Sequence, residues 1–193
     1  MNNIELSNLI YPDITKSGAD YEAMYPPREL PEGAKVTRLG PSPTGFIHLG
    51  NLYGAFVDER LAHQSEGVFY LRIEDTDDKR FVENAVETII SSLSFFGIKF
   101  DEGVTENGDI GAYGDYTQSH RGEIYRTFAK QLLAEGKAYP CFLTEEEITE
   151  IREKQETQKL APGIYAGGSK YRDWDKDDNL AAEIEAKIKA GES

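Results

Sequence analysis

The stretch Gly40–Asn51, GPSPTGFIHLGN, concentrates residues suited to holding a phosphate. Pro41 and Pro43 fix φ and stiffen the loop. Gly45 and Gly50 lack side chains, so a ligand can come close to the backbone. His48 can donate hydrogen bonds to phosphoryl oxygens near neutral pH. A helix beginning near Leu49–Asn51 would add unpaired N–H groups and a positive dipole end. Stabilising charge that develops on a phosphate is a matter of position and electrostatics, with no covalent step through the protein. The same residues also suit a tight turn in which His48 simply caps the helix, and these residues alone leave both readings open. The spacing is neither a Walker loop nor the dinucleotide fingerprint.

Two opposite charges flank this loop. Arg38 precedes it, and Glu74 opens the acidic run Glu74–Asp77, EDTD. As an ion pair they would be structural. As separate hooks, a guanidinium takes a carboxylate in bidentate fashion and a carboxylate takes an ammonium. That combination suits an amino acid, including an acidic one. Asp75, Asp77 and Asp78 offer oxygens that suit Mg²⁺. A solvated acidic turn, partly neutralised by Lys79 and Arg80, accounts equally for Asp78.

The surrounding pattern predicts the elements that position these groups. Lys35–Leu39 reads as a strand rich in β-branched residues. Residues 51–67 read as a helix with Leu52, Ala55, Phe56 and Leu61 on its apolar face, stopped at Gly67. Val68–Ile73 is apolar except for Arg72, as in a strand buried on both faces of a parallel sheet. Strand, helix and strand make a βαβ unit. Ligands of open parallel sheets bind outside the carboxyl ends of the strands, which is where the loop and the EDTD run fall. A second helix is expected over Phe81–Phe96, then a short strand and turn to Gly103. The glycine-rich residues 104–116 are expected to lack order. A third helix spans His120–Glu135, Thr144 caps a charged helix, residues 159–175 read as loop, and 179–193 as a last helix. Residues 1–34 read as an extension rich in breakers, with Pro26-Pro27 blocking a helix there. Its segment Tyr21–Pro27 is expected to pack across the back of the βαβ unit.

Composition sets limits. The 193 residues carry a net charge of −14, which argues against indiscriminate binding to nucleic acid or anionic membrane. The single cysteine, Cys141, excludes an intrachain disulfide and a multi-cysteine zinc site. It reads as a partly buried small hydrophobe in a reducing compartment. No apolar run reaches membrane-spanning length, and the start lacks a signal-peptide pattern. The expectation is a soluble, cytoplasmic, monomeric protein.

TRLGPSPTGFIHLGN followed by YLRIEDTD closely resembles the catalytic core of glutamyl-tRNA synthetases, class I aminoacyl-tRNA synthetases. FFGIKFDEG (Phe95–Gly103), YTQSHR (Tyr116–Arg121) and GKAYPCFLTEEEI (Gly136–Ile148) continue the likeness, which covers about Lys35 to Trp174. HLGN resembles the family's ATP motif, with Asn51 in the last place. The resemblance implies an α/β fold: the first half of a Rossmann-like parallel-sheet domain over 35–115, then the start of an acceptor-stem-binding insertion over 116–193. It implies ATP with Mg²⁺, glutamate and tRNA-Glu, or also tRNA-Gln, as partners. Glutamate would attack the α-phosphate of ATP to give glutamyl-adenylate, and tRNA would then take the glutamyl group. Pro43, Thr44, Gly45, His48, Gly50 and Asn51 would hold ATP, with His48 on the phosphates and Gly50 leaving room for adenine. His48, Gly50 and Asn51 would form the catalytic group. Arg38, Gly40, Ser42 and Glu74 would hold glutamate, and Thr76 and Asp77 would lie near the tRNA acceptor end.

Departures from the family pattern carry expectations of their own. Leu39-Gly40 stands where the family usually has Phe-Ala or Ile-Ala, and His120 where it has Glu. Zinc-bearing members have several cysteines in the insertion, so no zinc is expected here. The family's second signature loop, of the Lys-Met-Ser-Lys-Ser type, has no copy; GGSKY (Gly167–Tyr171) shares only Ser-Lys. The chain therefore reads as an amino-terminal portion that does not charge tRNA efficiently alone, with an unpaired strand edge where a second half-sheet would dock. Rival readings are the paralogue that glutamylates queuosine in tRNA-Asp, a non-catalytic nucleotide or acceptor-stem binding module, and another nucleotidyltransferase.

Overall fold

The computed structural model describes residues 1–44, 47–77, 82–164 and 169–192. In chain order the elements are α1 (Asn3–Ile10), α2 (Gly18–Met24), β1 (Val36–Leu39), α3 (Leu49–Gln64), β2 (Val68–Leu71), α4 (Ala85–Phe95), β3 (Glu102–Thr105) and β4 (Gly108–Ile110). A 3₁₀ helix (Gln118–Arg121), α5 (Gly122–Ala134), α6 (Glu145–Thr157), a second 3₁₀ helix (Lys170–Lys176) and α7 (Asp178–Lys189) follow. Two compact units result: Ala19–Tyr125, and Met1–Gly18 with Arg126–Ser193. No helix among the described residues is long and apolar enough to cross a membrane.

The first of these units holds a sheet in the order β1-β2-β3-β4. β1 runs parallel to β2 with Arg38 opposite Tyr70 and Leu39 opposite Leu71, and β2 runs parallel to β3. Alternation along the strands sends successive side chains to opposite faces. One face presents Leu39, Phe69, Leu71 and Ile73, which are buried with Ala55 and Ala62 of α3 and Ile89 and Leu93 of α4. The helices of both crossovers therefore cover the same apolar face. α3 packs through Ala55, Glu59 and Ala62, whereas Phe56 and Leu61 are exposed. The apolar stripe expected for this helix is thus rotated: Ala55 and Ala62 let it lie close to the strands with Glu59 buried between them, and Phe56 and Leu61 face out.

Glycine-rich residues 104–116 hold more order than their composition suggests. β3 and β4 form an antiparallel hairpin with Thr105 opposite Gly108. The Thr105 hydroxyl donates to the Gly108 carbonyl at 2.6 Å and accepts from the Asn107 amide at 3.2 Å, closing the two-residue turn. Gly108 has φ +103°, open only to glycine without strain. The second strand is shorter than its apolar run: it stops at Leu71, and Ile73 forms an isolated parallel bridge with Thr117.

Residues 25–28 are tied to β3 and the segment after β4. Tyr25 donates to Gly114 O and Tyr113 to Pro26 O, both at 2.7 Å. Arg28 grips Glu102 in bidentate fashion, its Nη2 at 2.7 Å from Oε2, and the Tyr116 hydroxyl donates to the same oxygen at 2.6 Å. Its guanidinium also lies 3.7 Å from the Tyr113 ring centroid.

In the other unit Leu6, Leu133, Tyr171, Trp174 and Ile184 form a buried cluster. The amino-terminal residues are more helical than their turn-rich composition indicated. Asn2 and Glu5 form a capping box on α1, and α2 stops at Met24, before Pro26. The expected third helix opens as a 3₁₀ turn before α5, and the expected loop near 170 holds another, anchored by buried Tyr171 and Trp174. Thr144 and Glu147 form the capping box expected of α6. Cys141 is exposed, with Ser169 Oγ 3.6 Å from its sulfur, and is not the partly buried residue its type suggested.

The Arg28–Glu102–Tyr116 cluster predicts a pH dependence. Burial pushes the Glu102 carboxyl up, but the Arg28 and Tyr116 hydrogen bonds and the Arg28 charge outweigh it, holding the group below its ordinary 4.5. A lowered folded pKa stabilises above the ordinary value and loses that contribution as pH falls through the folded value. Burial and Glu102 push the Tyr116 phenol from 10.0 up to about 12, so its contribution persists to about pH 10 and fades towards 12. Thermal melts from pH 2 to 12 should show both losses, and Glu102→Gln should flatten the acid limb.

Candidate active site

Parallel pairing continues beyond the strand ends and builds the site. Arg72 N donates to Leu39 O and Glu74 N to Pro41 O, each at 3.0 Å, and Val82 N donates to Pro43 O at 3.0 Å. The two prolines cannot donate, but their carbonyls accept, so the rigid loop is stitched to the segment after β2. Pro41 and Pro43 are buried, while Ser42 and Thr44 are exposed at the carboxyl edge. Gly45 lies outside the described residues, as do Asp78, Lys79, Arg80, Phe81 and Gly167.

His48 is the N-cap of α3 and is exposed. Its Nδ1 accepts from Gly50 N at 3.1 Å and, more weakly, from Asn51 N at 3.4 Å. The Asn51 side chain returns a bond to His48 N at 3.3 Å. An Nδ1 that accepts leaves the proton of the neutral ring on Nε2. The capping role and the donor role are therefore compatible, because they use opposite nitrogens. Two of the helix amides that the sequence offered to a phosphate face the imidazole instead, which leaves Nε2–H as the outward donor.

Arg38 and Glu74 are joined by a hydrogen-bonded ion pair through Nη1 and Oε1. Arg72 Nη2 donates to the same oxygen at 2.8 Å. Glu74 thus faces two guanidinium groups, and its Oε2 has no partner among the described residues. Of the two readings of these residues, the ion pair is formed in this structure, with one carboxylate oxygen left over. Arg72 was visible in the sequence only as the single charge in an apolar strand, and that interruption was its signal.

The pair rests on Gly40. A Cβ on Gly40 would stand 2.6 Å from Glu74 Oε1 and 3.2 Å from Arg38 Nη1. Gly40 has no left-handed φ, so its contribution is space rather than backbone freedom.

Asp75 is engaged elsewhere: Ser119 N donates to its Oδ1 at 2.9 Å and Ser119 Oγ to its Oδ2 at 2.6 Å. Burial raises the Asp75 pKa, but these bonds prevail and hold it below its ordinary value. Thr76 is exposed and Asp77 half-buried next to it. Among the described residues no three acidic, histidine or cysteine side chains gather to hold a metal.

A parallel βαβ unit with a proline-stiffened loop, an outward imidazole and a carboxylate at one sheet edge defines an α/β protein of the Rossmann-like kind. Residues 35–192 match the family described as tRNA synthetases class I (E and Q), catalytic domain, and the chain belongs to that family. It is 62% identical over 173 residues to a glutamate–tRNA ligase of Acetivibrio thermocellus, covering 89% of this chain and 32% of that relative. It is 52% identical over 194 residues to one of Clostridium perfringens, covering 100% of this chain and 35% of that relative. The crystal structure of glutamate-tRNA synthetase from Elizabethkingia anophelis is similar with TM-score 0.57 and 38% identity, over 66% of this chain and 25% of that one. The chain thus spans about a third of the length of the curated relatives it matches.

Gly40→Ala should drive the Glu74 carboxylate off its present position and break its contact with Arg38. The ¹⁵N signals of the Arg38 guanidinium should shift while the melting temperature changes little, since the pair is half-exposed. Unchanged Arg38 signals would contradict the contact.

Proposed function

We propose that these residues form the ATP- and glutamate-facing wall of a glutamate–tRNA ligase. Glutamate attacks the α-phosphorus of ATP through its α-carboxylate. A phosphorus–oxygen bond forms, and the bond to pyrophosphate breaks. The glutamyl group then passes to a ribose hydroxyl of tRNA, and AMP leaves. Magnesium arrives with the nucleotide as part of that substrate. The observation that carries this reading is the juxtaposition at one sheet edge of the Arg38–Glu74 pair with the loop leading to His48.

His48 donates from Nε2 to the phosphate oxygens, where negative charge grows in the transition state. Its ring cannot rotate away without losing the cap bonds at Nδ1, so the donor is held in place beforehand. Gly50 and Asn51 hold the imidazole, Gly50 leaves the adenine unobstructed, and Pro43, Thr44 and Gly45 line the nucleotide's path. Glu74 receives the glutamate ammonium on Oε2 while Arg72 keeps Oε1 in place. Arg38, released from Glu74, turns to a substrate carboxylate, with Ser42 beside it and Gly40 giving room for the exchange. Thr76 and Asp77 face the acceptor end of tRNA-Glu or tRNA-Gln, and residues 116–193 begin the acceptor-stem-binding part. Residues 1–34 precede the catalytic domain, which begins at 35–115. We further propose a monomer that works in the cytoplasm without zinc. Relatives named glutamate–tRNA ligase favour this reading over the queuosine paralogue and the non-catalytic module.

In a full-length ligase carrying this sequence, His48→Ala should slow ATP–pyrophosphate exchange by about a hundredfold or more, the worth of one preorganised donor. Wild-type exchange by that variant would remove His48 from the reaction. The 193-residue chain alone should show no tRNA charging above background.

A further inference from the structure

The face of the sheet opposite the helices holds a cavity of about 250 Å³. Its walls include Tyr25, Arg28, Tyr70, Arg72, Tyr113 and Arg121, so three guanidinium groups converge in a chain whose net charge is −14. The three are not equally satisfied. Arg28 is neutralised by Glu102, and Arg72 shares Glu74 with Arg38. Arg121 donates to main-chain oxygens, Asp115 O at 2.8 Å and Tyr113 O at 3.5 Å, lies 6.0 Å from the Tyr25 ring centroid, and has no carboxylate partner among the described residues. The Nε atoms of Arg72 and Arg121 are both buried and both lack a hydrogen-bond partner. Buried donors without acceptors are destabilising, and more so when charged. Three guanidinium groups on one cavity wall, one of them without a carboxylate partner, are the complement of an anion.

We infer that this cavity is a binding site for a small oxyanion, a carboxylate or a phosphate, held by the guanidinium groups of Arg72 and Arg121. A volume below the ~300–1,000 Å³ of drug-sized sites excludes a nucleotide and admits a single phosphate or a short dicarboxylate. The tyrosine walls lower the local dielectric and so strengthen each charge-assisted bond. Neither Arg38 nor Glu74 lines the cavity, so the site is separate from the proposed glutamate position. Arg72 joins the two, with Nη2 on Glu74 and its side chain also lining the cavity.

The test follows the arginine Nε–H signals of the 193-residue chain by ¹H–¹⁵N NMR. Sodium phosphate and sodium malonate are titrated separately, with sodium chloride at matched ionic strength as reference. The Arg72 and Arg121 signals should shift saturably with one or both oxyanions and not with chloride. Saturation by one alone identifies the class of ligand. Arg121→Met should weaken binding by about tenfold or more, the worth of one charge-assisted hydrogen bond. Glu185→Gln, in the other compact unit and not lining the cavity, should leave it within about twofold. The unmodified chain gives the answer even where Arg121→Met fails to fold. Shifts that follow ionic strength alone, or no saturation with either anion up to about 50 mM, would overturn the inference.

Discussion

Parallel pairing of β1 with β2 is the constraint on which the site depends. Parallel strands must be joined by a crossover, and α3 is that crossover, so its amino end and the loop before it stand at the carboxyl edge of the sheet. The bonds from Arg72 N to Leu39 O and from Glu74 N to Pro41 O extend the pairing past the strands. Arg38 and Glu74, 36 positions apart in the chain, meet because of that ladder. A slip of one residue would send Arg38 into the apolar face and Leu39 out of it.

The two faces of the sheet divide the work. Leu39, Phe69, Leu71 and Ile73 bury against α3 and α4 and supply the cohesion of the unit. Arg38, Tyr70 and Arg72 alternate with them and face the other way, towards tyrosines and arginines from residues 25–28 and 113–121. Polar groups on that face are held by specific bonds: Glu102 by Arg28 and Tyr116, Arg121 by main-chain carbonyls. Charge on this face is organised locally and bears no relation to the acidic total.

At His48 the capping bonds serve the proposed donor role. A cap that uses Nδ1 orients the ring and selects the tautomer, so the proton is on the nitrogen that faces outward. The Asn51 side chain completes the arrangement by accepting from the backbone N–H of His48. At Gly40 the missing methyl group lets a carboxylate lie against the main chain, a role that depends on where Glu74 happens to fold.

Local pattern was enough to read several features from the amino-acid order. The βαβ unit, the turn before α3, the cap at Thr144 and the stop before Pro26 follow from residue types and spacing, because each is decided within a few residues of the chain. The motif residues Arg38, His48 and Glu74 were legible for the same reason. Other features were not. The β3–β4 hairpin hid in a glycine-rich stretch, since its closure rests on one threonine hydroxyl and on pairing with a distant strand. The buried stripe of α3 ran through Ala55 and Ala62, because close approach to a sheet favours small residues over large ones, and it took in the charged Glu59, which no apolar pattern marks. Arg72, Ser119 and Arg121 gained their roles only through partners far away in sequence. Periodicity reports which side of an element is apolar; which charge meets which, and which donor is left without an acceptor, is decided when separate segments are packed against one another.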